Sequence, residues 1–280
     1  MNYFKIKSYA KINLALNVVG KIGLLHNIES IVSFIELHDE IFIREIKSKK
    51  HKINFIGKFS GKISKKNTIS QLLKILDDKN LLKAKYQIIV RKNIPSKAGL
   101  GGGSMNAASL LNFFVKRKIV HIKKKEIIKI LNIVGTDTTL GYYGKNLVLR
   151  SNNSIKTFSV TKKIYILIVK PEFGCSTKKI YSMVRKLSKP KFNFPTKDMF
   201  RISNLKCMKN DLEPVAISKY TKLKILKNFL EKLSKCEFVR MTGSGSAIIA
   251  YFNSIKKSQE AEKKVKKQFR NYWCKTSKTI

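Results

Sequence analysis

A run of glycines between a predicted strand and a predicted helix constrains this chain more than any other feature. The run reads Gly99-Leu100-Gly101-Gly102-Gly103-Ser104, between an alternating segment at 85–91 and an apolar segment at 106–115. Glycines let a loop backbone approach a bound group closely, and the N–H groups at a helix start attract anions. The run therefore predicts a phosphate-binding loop, in which Ser104 could cap the following helix. A glycine turn without a ligand remains the alternative.

Two common nucleotide-binding patterns do not fit this loop. The Walker pattern requires Lys and then Ser or Thr after the last glycine, whereas Ser104-Met105 stands there. A Rossmann fingerprint would need a third glycine at Ser104 and an acidic residue about 20 positions later. Lysines occupy that region, at 123–125. The loop thus belongs to another phosphate-binding arrangement.

The remaining pattern predicts an α+β protein with mixed or antiparallel sheets. Alternating apolar residues predict strands at 4–19, 28–46, 85–91, 146–150, 155–160, 164–169, 238–242 and 247–252. Helical spacing predicts helices at 67–76, 106–115, 123–134, 177–187, 223–234 and 256–268. These elements divide into two predicted domains, residues 1–158 and 159–280.

Local signals predict how some of these elements are joined. Glycines predict a connector at 20–26, and His38-Asp39 predicts a turn that interrupts the second strand. A segment rich in Lys, Ser and Gly at 47–66 predicts a hairpin and loop. Thr68 is the predicted cap of the first helix.

The charge of the chain is unusual for a globular protein. Lys and Arg number 59 against 17 Asp and Glu, for a net charge of +42, and 51 of the 59 are lysine. The lysines are spread along the whole chain, and arginine, which suits bidentate base and phosphate contacts, is scarce. We interpret the excess as compositional bias rather than as a specific nucleic-acid footprint, which remains the alternative. Such a surface attracts anions in either case.

The sequence does not indicate a membrane span, a signal peptide, or a zinc or redox cysteine motif. The long apolar stretches, such as 164–169, have the length of a strand and not of a membrane span, and Lys5, Lys7 and Lys11 interrupt the N-terminal apolar residues. Cys175, Cys207, Cys236 and Cys274 match no zinc or redox spacing. We therefore expect free thiols, a cytoplasmic location and no membrane association.

Three ordered motifs resemble those of the GHMP kinases, the family of galactokinase, homoserine kinase, mevalonate kinase and phosphomevalonate kinase. The central motif begins at Pro95 and runs through the glycine loop to Ser104. Residues 8–14, Ser-Tyr-Ala-Lys-Ile-Asn-Leu, resemble the first motif, and residues 240–247, Arg-Met-Thr-Gly-Ser-Gly-Ser-Ala, resemble the third. The resemblance implies a two-domain GHMP kinase fold with its active site in the cleft between the domains.

Further segments resemble one branch of this family, the kinases that phosphorylate the 2-hydroxyl of 4-diphosphocytidyl-2-C-methyl-D-erythritol in the non-mevalonate isoprenoid pathway. These segments are 10–14, 26–30, 37–40, 135–137 and 210–213. The resemblance implies ATP as phosphoryl donor, Mg²⁺ as cofactor and this cytidine diphosphate methylerythritol as acceptor. We expect a monomer or a homodimer.

The resemblance also implies roles for single residues. Asp137 would orient or deprotonate the acceptor hydroxyl, and Lys11 would keep that carboxylate ionised and stabilise charge at the transferring phosphoryl group. The implied acceptor contacts are Asn13, His26, Thr177 and Tyr181, with Tyr181 stacking on cytosine. The implied nucleotide contacts are Pro95, Gly99, Leu100, Gly101, Gly102, Gly103 and Ser104. No protein metal ligand is assigned, although Ser104 is the candidate contact for Mg²⁺.

Some positions depart from the pattern of this branch. Residues 23–26 read Gly-Leu-Leu-His where Asp-Gly-Tyr-His is usual, so a tyrosine beside the cytosine is missing. Met105 replaces a serine, and Thr138-Thr139-Leu140 replaces a proline-containing segment after Asp137. Two alternatives therefore stay open: another GHMP kinase, acting on homoserine or mevalonate, or a degenerate basic RNA-binding protein on the same fold.

Overall fold

The computed structural model describes residues 3–23, 25–61, 63–160 and 162–280, so Leu24 of the predicted connector lies outside the described residues. The chain forms two compact units. The first comprises Met1–Lys11, Leu37–Ser96 and Gly101–Gly144, and the second comprises Ile12–Glu36, Lys97–Leu100 and Lys145–Ile280. Each unit is thus assembled from separate stretches of sequence, while the linear division into 1–158 and 159–280 stays a prediction. No helix in the described ranges is long and apolar enough to cross a membrane.

Two long strands supply residues to both units. They are β1 (Phe4–Ile22) and β2 (Leu25–Ile46), which pair with each other. The connector predicted at 20–26 is shorter than expected, because β1 continues to Ile22 and β2 starts at Leu25. The expected turn at His38-Asp39 is wrong, because β2 passes through these residues without interruption. A buried Asp39 is tolerated within the strand because its carboxylate accepts several hydrogen bonds.

The first unit packs helices on a mixed sheet. Its further elements are β3 (Lys52–Ile56), α1 (Thr68–Asp78), β4 (Lys85–Arg91), α2 (Gly102–Lys116), α3 (Lys124–Val134) and α4 (Thr138–Tyr143). In this unit the strand order is β3-β4-β2, and β2 and β4 are antiparallel with Ile41 opposite Val90. Alternate residues of β4 are buried against apolar side chains of α1, α2 and α3. The alternation of apolar residues in this segment therefore reflects a strand with one face on the core.

The segment at 47–66 does not form the predicted hairpin. Its strand β3 pairs in parallel with β4, and α1 is the crossover between them. Parallel neighbours cannot be joined by a tight turn, so the segment needs this longer connection. The four apolar residues that predicted α1, Ile69, Leu72, Leu73 and Leu76, are all buried as expected.

The caps of α1 and α2 differ from the sequence predictions. Asn67, not Thr68, caps α1, because its side-chain oxygen accepts the N–H groups of Ile69 and Ser70. The α2 helix starts earlier than predicted, at Gly102, and its N-cap position is Gly101, with φ +70° and no side-chain cap. Ser104 lies inside the first turn of α2, so the expected cap at Ser104 is wrong.

The second unit is built on a four-stranded antiparallel sheet. The unit contains β5 (Asn146–Leu149) and β6 (Ile155–Phe158), and the four strands of this sheet are β7 (Tyr165–Lys170), β8 (Phe238–Met241), β9 (Ile248–Phe252) and β10 (Trp273–Lys278). The strand order in this sheet is β10-β7-β9-β8. Strands β5 and β6 form the predicted hairpin, and β5 pairs with β2, where Leu149 lies opposite Ser30. The helices are α5 (Thr177–Ser182), α6 (Ile202–Lys206), α7 (Leu212–Lys219), α8 (Thr221–Glu231) and α9 (Ile255–Gln268), with a 3-10 turn at Lys197–Phe200.

Several elements of the second unit were not predicted from sequence. Strand β10, helices α6 and α7, and the 3-10 turn lie in polar or short segments with weak periodicity. The predicted helix at 177–187 ends at Ser182, and its continuation is bound to β1 instead, where the Ser188 N–H donates to the Val18 carbonyl at 2.8 Å. All four cysteines are free thiols, as expected.

Candidate active site

The glycine loop has the conformation that its sequence predicts. Gly99 and Gly101 have φ of +75° and +70°, values that residues with side chains rarely adopt. A Cβ atom at Gly99 would overlap the carbonyl of Thr242, and one at Gly101 would lie 2.9 Å from Cγ of Lys11. Glycine is therefore required at both positions, by backbone conformation and by space.

The start of α2 offers N–H groups to an anion. The Gly101 carbonyl accepts the N–H of Met105 at 2.9 Å, which closes the first turn. The N–H groups of Gly102, Gly103 and Ser104 precede this bond and have no partner within the helix. The hydroxyl of Thr68, which does not cap α1, donates to the Gly103 carbonyl at 2.7 Å. This arrangement suits a phosphate group.

Pro95 and Leu100 lie in the same loop but are buried, with Leu100 only 1% exposed. Their side chains are therefore not exposed to a nucleotide. Ser104 is half-buried, and its Oγ lies 4.0 Å from the place a Cβ atom would take at Gly135. The serine hydroxyl is therefore next to the Gly135-Thr136-Asp137 segment.

Lys11 and Asp137 form an ion pair. Lys11 Nζ lies 3.2 Å from Asp137 Oδ2, and the lysine side chain is 4% exposed while the aspartate side chain is 39% exposed. Asp137 precedes α4 but makes no capping hydrogen bond to it. The carboxylate therefore contacts the ammonium group, is partly exposed to solvent and does not cap the helix.

Burial distinguishes three of the described lysines, Lys11 among them, from the others. Among the lysines that the structure describes, only Lys11, Lys92 and Lys170 are buried. Lys170 donates to the carbonyls of Pro171 and Phe173, and Lys92 is paired with Asp39. A buried ammonium group is costly unless it is paired, so these few lysines have specific roles in a chain whose other lysines are largely exposed.

Thr242 connects residues of all three sequence motifs within the second unit. Its hydroxyl accepts the backbone N–H of Asn13 at 3.0 Å and donates to the Gly99 carbonyl at 3.2 Å. The Asn13 amide group in turn donates to Ser30 Oγ at 2.8 Å. Asn13 is buried, and its Oδ1 faces Gly243 of the third motif. The third motif contains Thr242 but does not by itself indicate this role, because both hydrogen-bond partners are distant in sequence.

His26 and Tyr181, two of the predicted acceptor contacts, lie side by side. Their ring centroids are 5.2 Å apart and the ring planes are tilted by 38°. Burial and the positive charge of Lys21 lower the pKa of His26, which favours the neutral form of its ring. Thr177, at the start of α5, shares a hydrogen bond of 2.9 Å with Ser244 of the third motif. The second unit therefore places His26 beside Tyr181 and joins Thr177 to the third motif.

The described residues contain no cluster of three or more His, Cys, Asp or Glu that could hold a metal ion by itself. The first turn of α2 also lacks an acidic residue. Mg²⁺ usually takes one or two protein oxygens together with phosphate oxygens. The Ser104 hydroxyl beside the Asp137 segment fits such a partial site, in which a nucleotide would supply the other oxygens.

Comparisons with known proteins place the chain in a family. The "GHMP kinases N terminal domain" family matches residues 67–145, and "GHMP kinases C terminal" matches residues 197–273. A "4-diphosphocytidyl-2-C-methyl-D-erythritol kinase" of Pelagibacter ubique (strain HTCC1062) is 57% identical over 100% of both chains. The chain belongs to the GHMP kinase family. The resemblance drawn from the three motifs is thereby confirmed.

One further relative and two solved structures are also similar to this GHMP kinase. A kinase of the same name from Clostridium tetani is 31% identical over 99% of this chain and 100% of its own. A crystal structure of 4-(cytidine 5'-diphospho)-2C-methyl-D-erythritol kinase superposes with a TM-score of 0.80 at 19% identity, over 98% of this chain and 99% of its own. The crystal structure of homoserine kinase from Cytophaga hutchinsonii superposes with a TM-score of 0.72 at 17% identity, over 100% of this chain and 95% of its own. These two structures establish the fold, so the predicted α+β GHMP kinase fold is confirmed.

Proposed function

We propose that this GHMP kinase transfers the γ-phosphoryl group of ATP to the 2-hydroxyl of 4-diphosphocytidyl-2-C-methyl-D-erythritol, in the non-mevalonate isoprenoid pathway. The observation that carries the chemistry is the ion pair of the buried Lys11 with the accessible Asp137. The acceptor follows from the full-length relative of that name and from the His26–Tyr181 ring pair.

Asp137 serves the acceptor hydroxyl. A carboxylate with one oxygen held by an ammonium group can receive the hydroxyl proton on its other oxygen, or orient the hydroxyl for attack. Phosphoryl transfer otherwise asks a protein for positioning and for stabilisation of charge. Because Lys11 is buried and lies against Gly101, its ammonium group is fixed between the carboxylate and the glycine loop.

The glycine loop holds the donor. The backbone N–H groups at the start of α2 bind phosphate oxygens, and the helix end adds a positive potential. Mg²⁺, held by Ser104 and by phosphate oxygens, would neutralise part of the phosphate charge.

The cytidine moiety of the acceptor lies on the second unit in this proposal. Tyr181 offers a face for a planar base, and neutral His26 offers one donor and one acceptor of hydrogen bonds. Asn13 and Thr177 border the third motif and would contact the remainder of the acceptor.

The departures from the usual pattern are compatible with a folded site. Met105 is 1% exposed inside α2, and Thr139 donates a 2.7 Å hydrogen bond to Asn132, so both are integrated into the first unit. Leu25 is 62% exposed beside His26 and offers no aromatic face. We therefore expect these changes to weaken acceptor binding without removing the chemistry. The cytoplasmic location and the monomeric or homodimeric state stay predictions.

The decisive experiment measures ATP consumption by the purified protein with Mg²⁺ and 4-diphosphocytidyl-2-C-methyl-D-erythritol. Homoserine and mevalonate are offered separately as competing acceptors. We expect turnover with the first acceptor alone, and its loss in Asp137→Asn. The matched control is Asp78→Asn, which changes an exposed aspartate of α1.

Turnover with homoserine or mevalonate instead would assign the chain to another activity of the family. If the protein binds ATP but phosphorylates none of the three acceptors, the proposal is overturned. RNA affinity that survives Asp137→Asn and falls steeply with salt would then favour the binding-protein alternative.

A further inference from the structure

We infer that Asp39 is a positioning residue for the phosphate-binding loop, which it ties to the strand before it and to the helix after it. This inference goes beyond the proposed chemistry and rests on it only in taking ATP as the donor. Asp39 lies in β2, is fully buried, and belongs to the first unit together with all of its partners.

Both oxygens of the Asp39 carboxylate are engaged. Oδ1 accepts the backbone N–H groups of Asn93 at 2.7 Å and Ile94 at 2.9 Å, directly after β4. Oδ2 accepts the Lys92 ammonium group and the amide of Asn106, the latter at 3.0 Å. The same carboxylate therefore holds the entry of the loop and a residue of α2 one turn after Gly102.

The partners of Asp39 reach the phosphate-binding backbone itself. A Cβ atom at Gly102 would lie 3.3 Å from Lys92 Nζ and 3.1 Å from Cγ2 of Ile94. Lys92 and Ile94 thus pack directly beneath the first residue of α2, and the Lys92 backbone N–H is bound to the Ile56 carbonyl at 2.8 Å. The position of Gly102 depends on two residues that Asp39 fixes.

Precise placement of these backbone groups is what phosphate binding requires. N–H donors that are held before the ligand arrives lose little freedom on binding, whereas a loosened loop must be ordered at the expense of affinity. Removing the carboxylate charge would leave the Lys92 ammonium group buried without its partner, which is strongly unfavourable. Asp39 therefore affects donor binding although it touches no substrate.

The test uses Asp39→Asn and Asn106→Ala in the full chain. The first change retains one oxygen but turns an NH₂ group toward the two donors Lys92 and Asn106. The second removes only the tie to α2 and leaves the ion pair intact, so it serves where the first variant fails to fold. We expect the ATP dissociation constant to rise roughly tenfold in Asp39→Asn and several-fold in Asn106→Ala, while the KM for the acceptor is unchanged.

Glu29→Gln is the matched control. Glu29 is also fully buried and accepts two consecutive backbone N–H groups, of Lys191 and Phe192, and the amide of Asn17. All of these residues belong to the second unit. The control should lose stability without a change in ATP affinity, and this separates positioning of the loop from general destabilisation.

Wild-type ATP affinity in a folded Asn106→Ala or Asp39→Asn protein would overturn the inference. So would an equal loss of ATP affinity in Glu29→Gln. If the wild-type protein does not bind ATP, the proposed function fails instead. In that case amide hydrogen exchange decides the positioning role, because Asp39→Asn should speed exchange over 93–104 and unchanged exchange there would contradict it.

Discussion

Gly101 lies directly against the side chain of Lys11. A Cβ atom at Gly101 would approach Lys11 Cγ to 2.9 Å and Cε to 3.1 Å. The lysine that pairs with Asp137 is therefore positioned by the absence of a side chain in the glycine loop. The loop has two tasks as a result: it presents its backbone to phosphate, and it leaves room for the buried ammonium group.

This contact predicts the effect of Gly101→Ala. The methyl group forces the Lys11 side chain to shift beside Asp137, and alanine at a φ of +70° adds a conformational cost of about 1–3 kcal/mol. We expect kcat to fall at least about tenfold, because the charge of Lys11 no longer meets the transferring group. The control is Gly61→Ala, since a Cβ atom there meets nothing within 4 Å. Steady-state kinetics should show equal kcat for the wild type and Gly61→Ala, and an unchanged kcat in Gly101→Ala would refute the prediction.

Thr242 predicts a difference between two small substitutions. Thr242→Val keeps the volume but leaves the Asn13 N–H without its acceptor, and we expect a loss of about 1–3 kcal/mol in the free energy of unfolding. Thr242→Ser retains the hydroxyl and should stay within about 1 kcal/mol of the wild type. Urea denaturation measures both. Thr157→Val, at an exposed position of β6, is the control, and a valine variant as stable as the serine variant would contradict the role of the hydroxyl.

Tyr181 predicts a selective effect on the acceptor. Loss of a stacking face is worth about 1–3 kcal/mol per base, so Tyr181→Ala should raise the KM for the acceptor roughly tenfold or more. Tyr181→Phe keeps the ring and should restore the wild-type KM, while the KM for ATP stays constant in both variants. Tyr3→Ala, at a partly exposed tyrosine of the first unit, should change neither constant. Equal KM values for the acceptor in Tyr181→Ala and the wild type would exclude a stacking role.

Asp77 predicts how stability depends on pH. Burial raises the pKa of Asp77, but the hydrogen bonds from Lys85 and His51 outweigh this effect, so its pKa is lowered in the folded protein. The lowered pKa stabilises the fold above the ordinary aspartate pKa of about 3.9, and this stabilisation is lost as the pH falls through the folded value. Asp77→Asn should therefore lower the urea midpoint at pH 7 and have much less effect at about pH 3.

The neighbouring Asp78 provides the comparison for that measurement. Its ion pair with Lys74 is largely exposed, so Asp78→Asn should have little effect at either pH. A stability difference between Asp77→Asn and the wild type that persists unchanged at about pH 3 would show that the carboxylate charge is not responsible.

Short-range patterns predicted the elements that carry the site. The apolar spacing of α1, the alternation of β4 and the glycine run before α2 depend on neighbouring residues, and each of these elements is present. The turn at His38-Asp39 was predicted by the same kind of local signal and is wrong. Polar residues within a strand indicate a turn unless distant partners satisfy them, and Lys92 and Asn106 do so here.

The sequence by itself determined the family and the set of candidate residues, because the three motifs depend on residue identity and order and not on folding. Only the tertiary structure singled out Lys92 and showed how Lys11 is held. Lys92 looks like any other lysine in a chain with 51 of them, whereas in the fold it is buried beside Asp39, as Lys11 is buried beside Asp137. Burial and ion pairing join residues that are far apart in sequence, so no local pattern contains them.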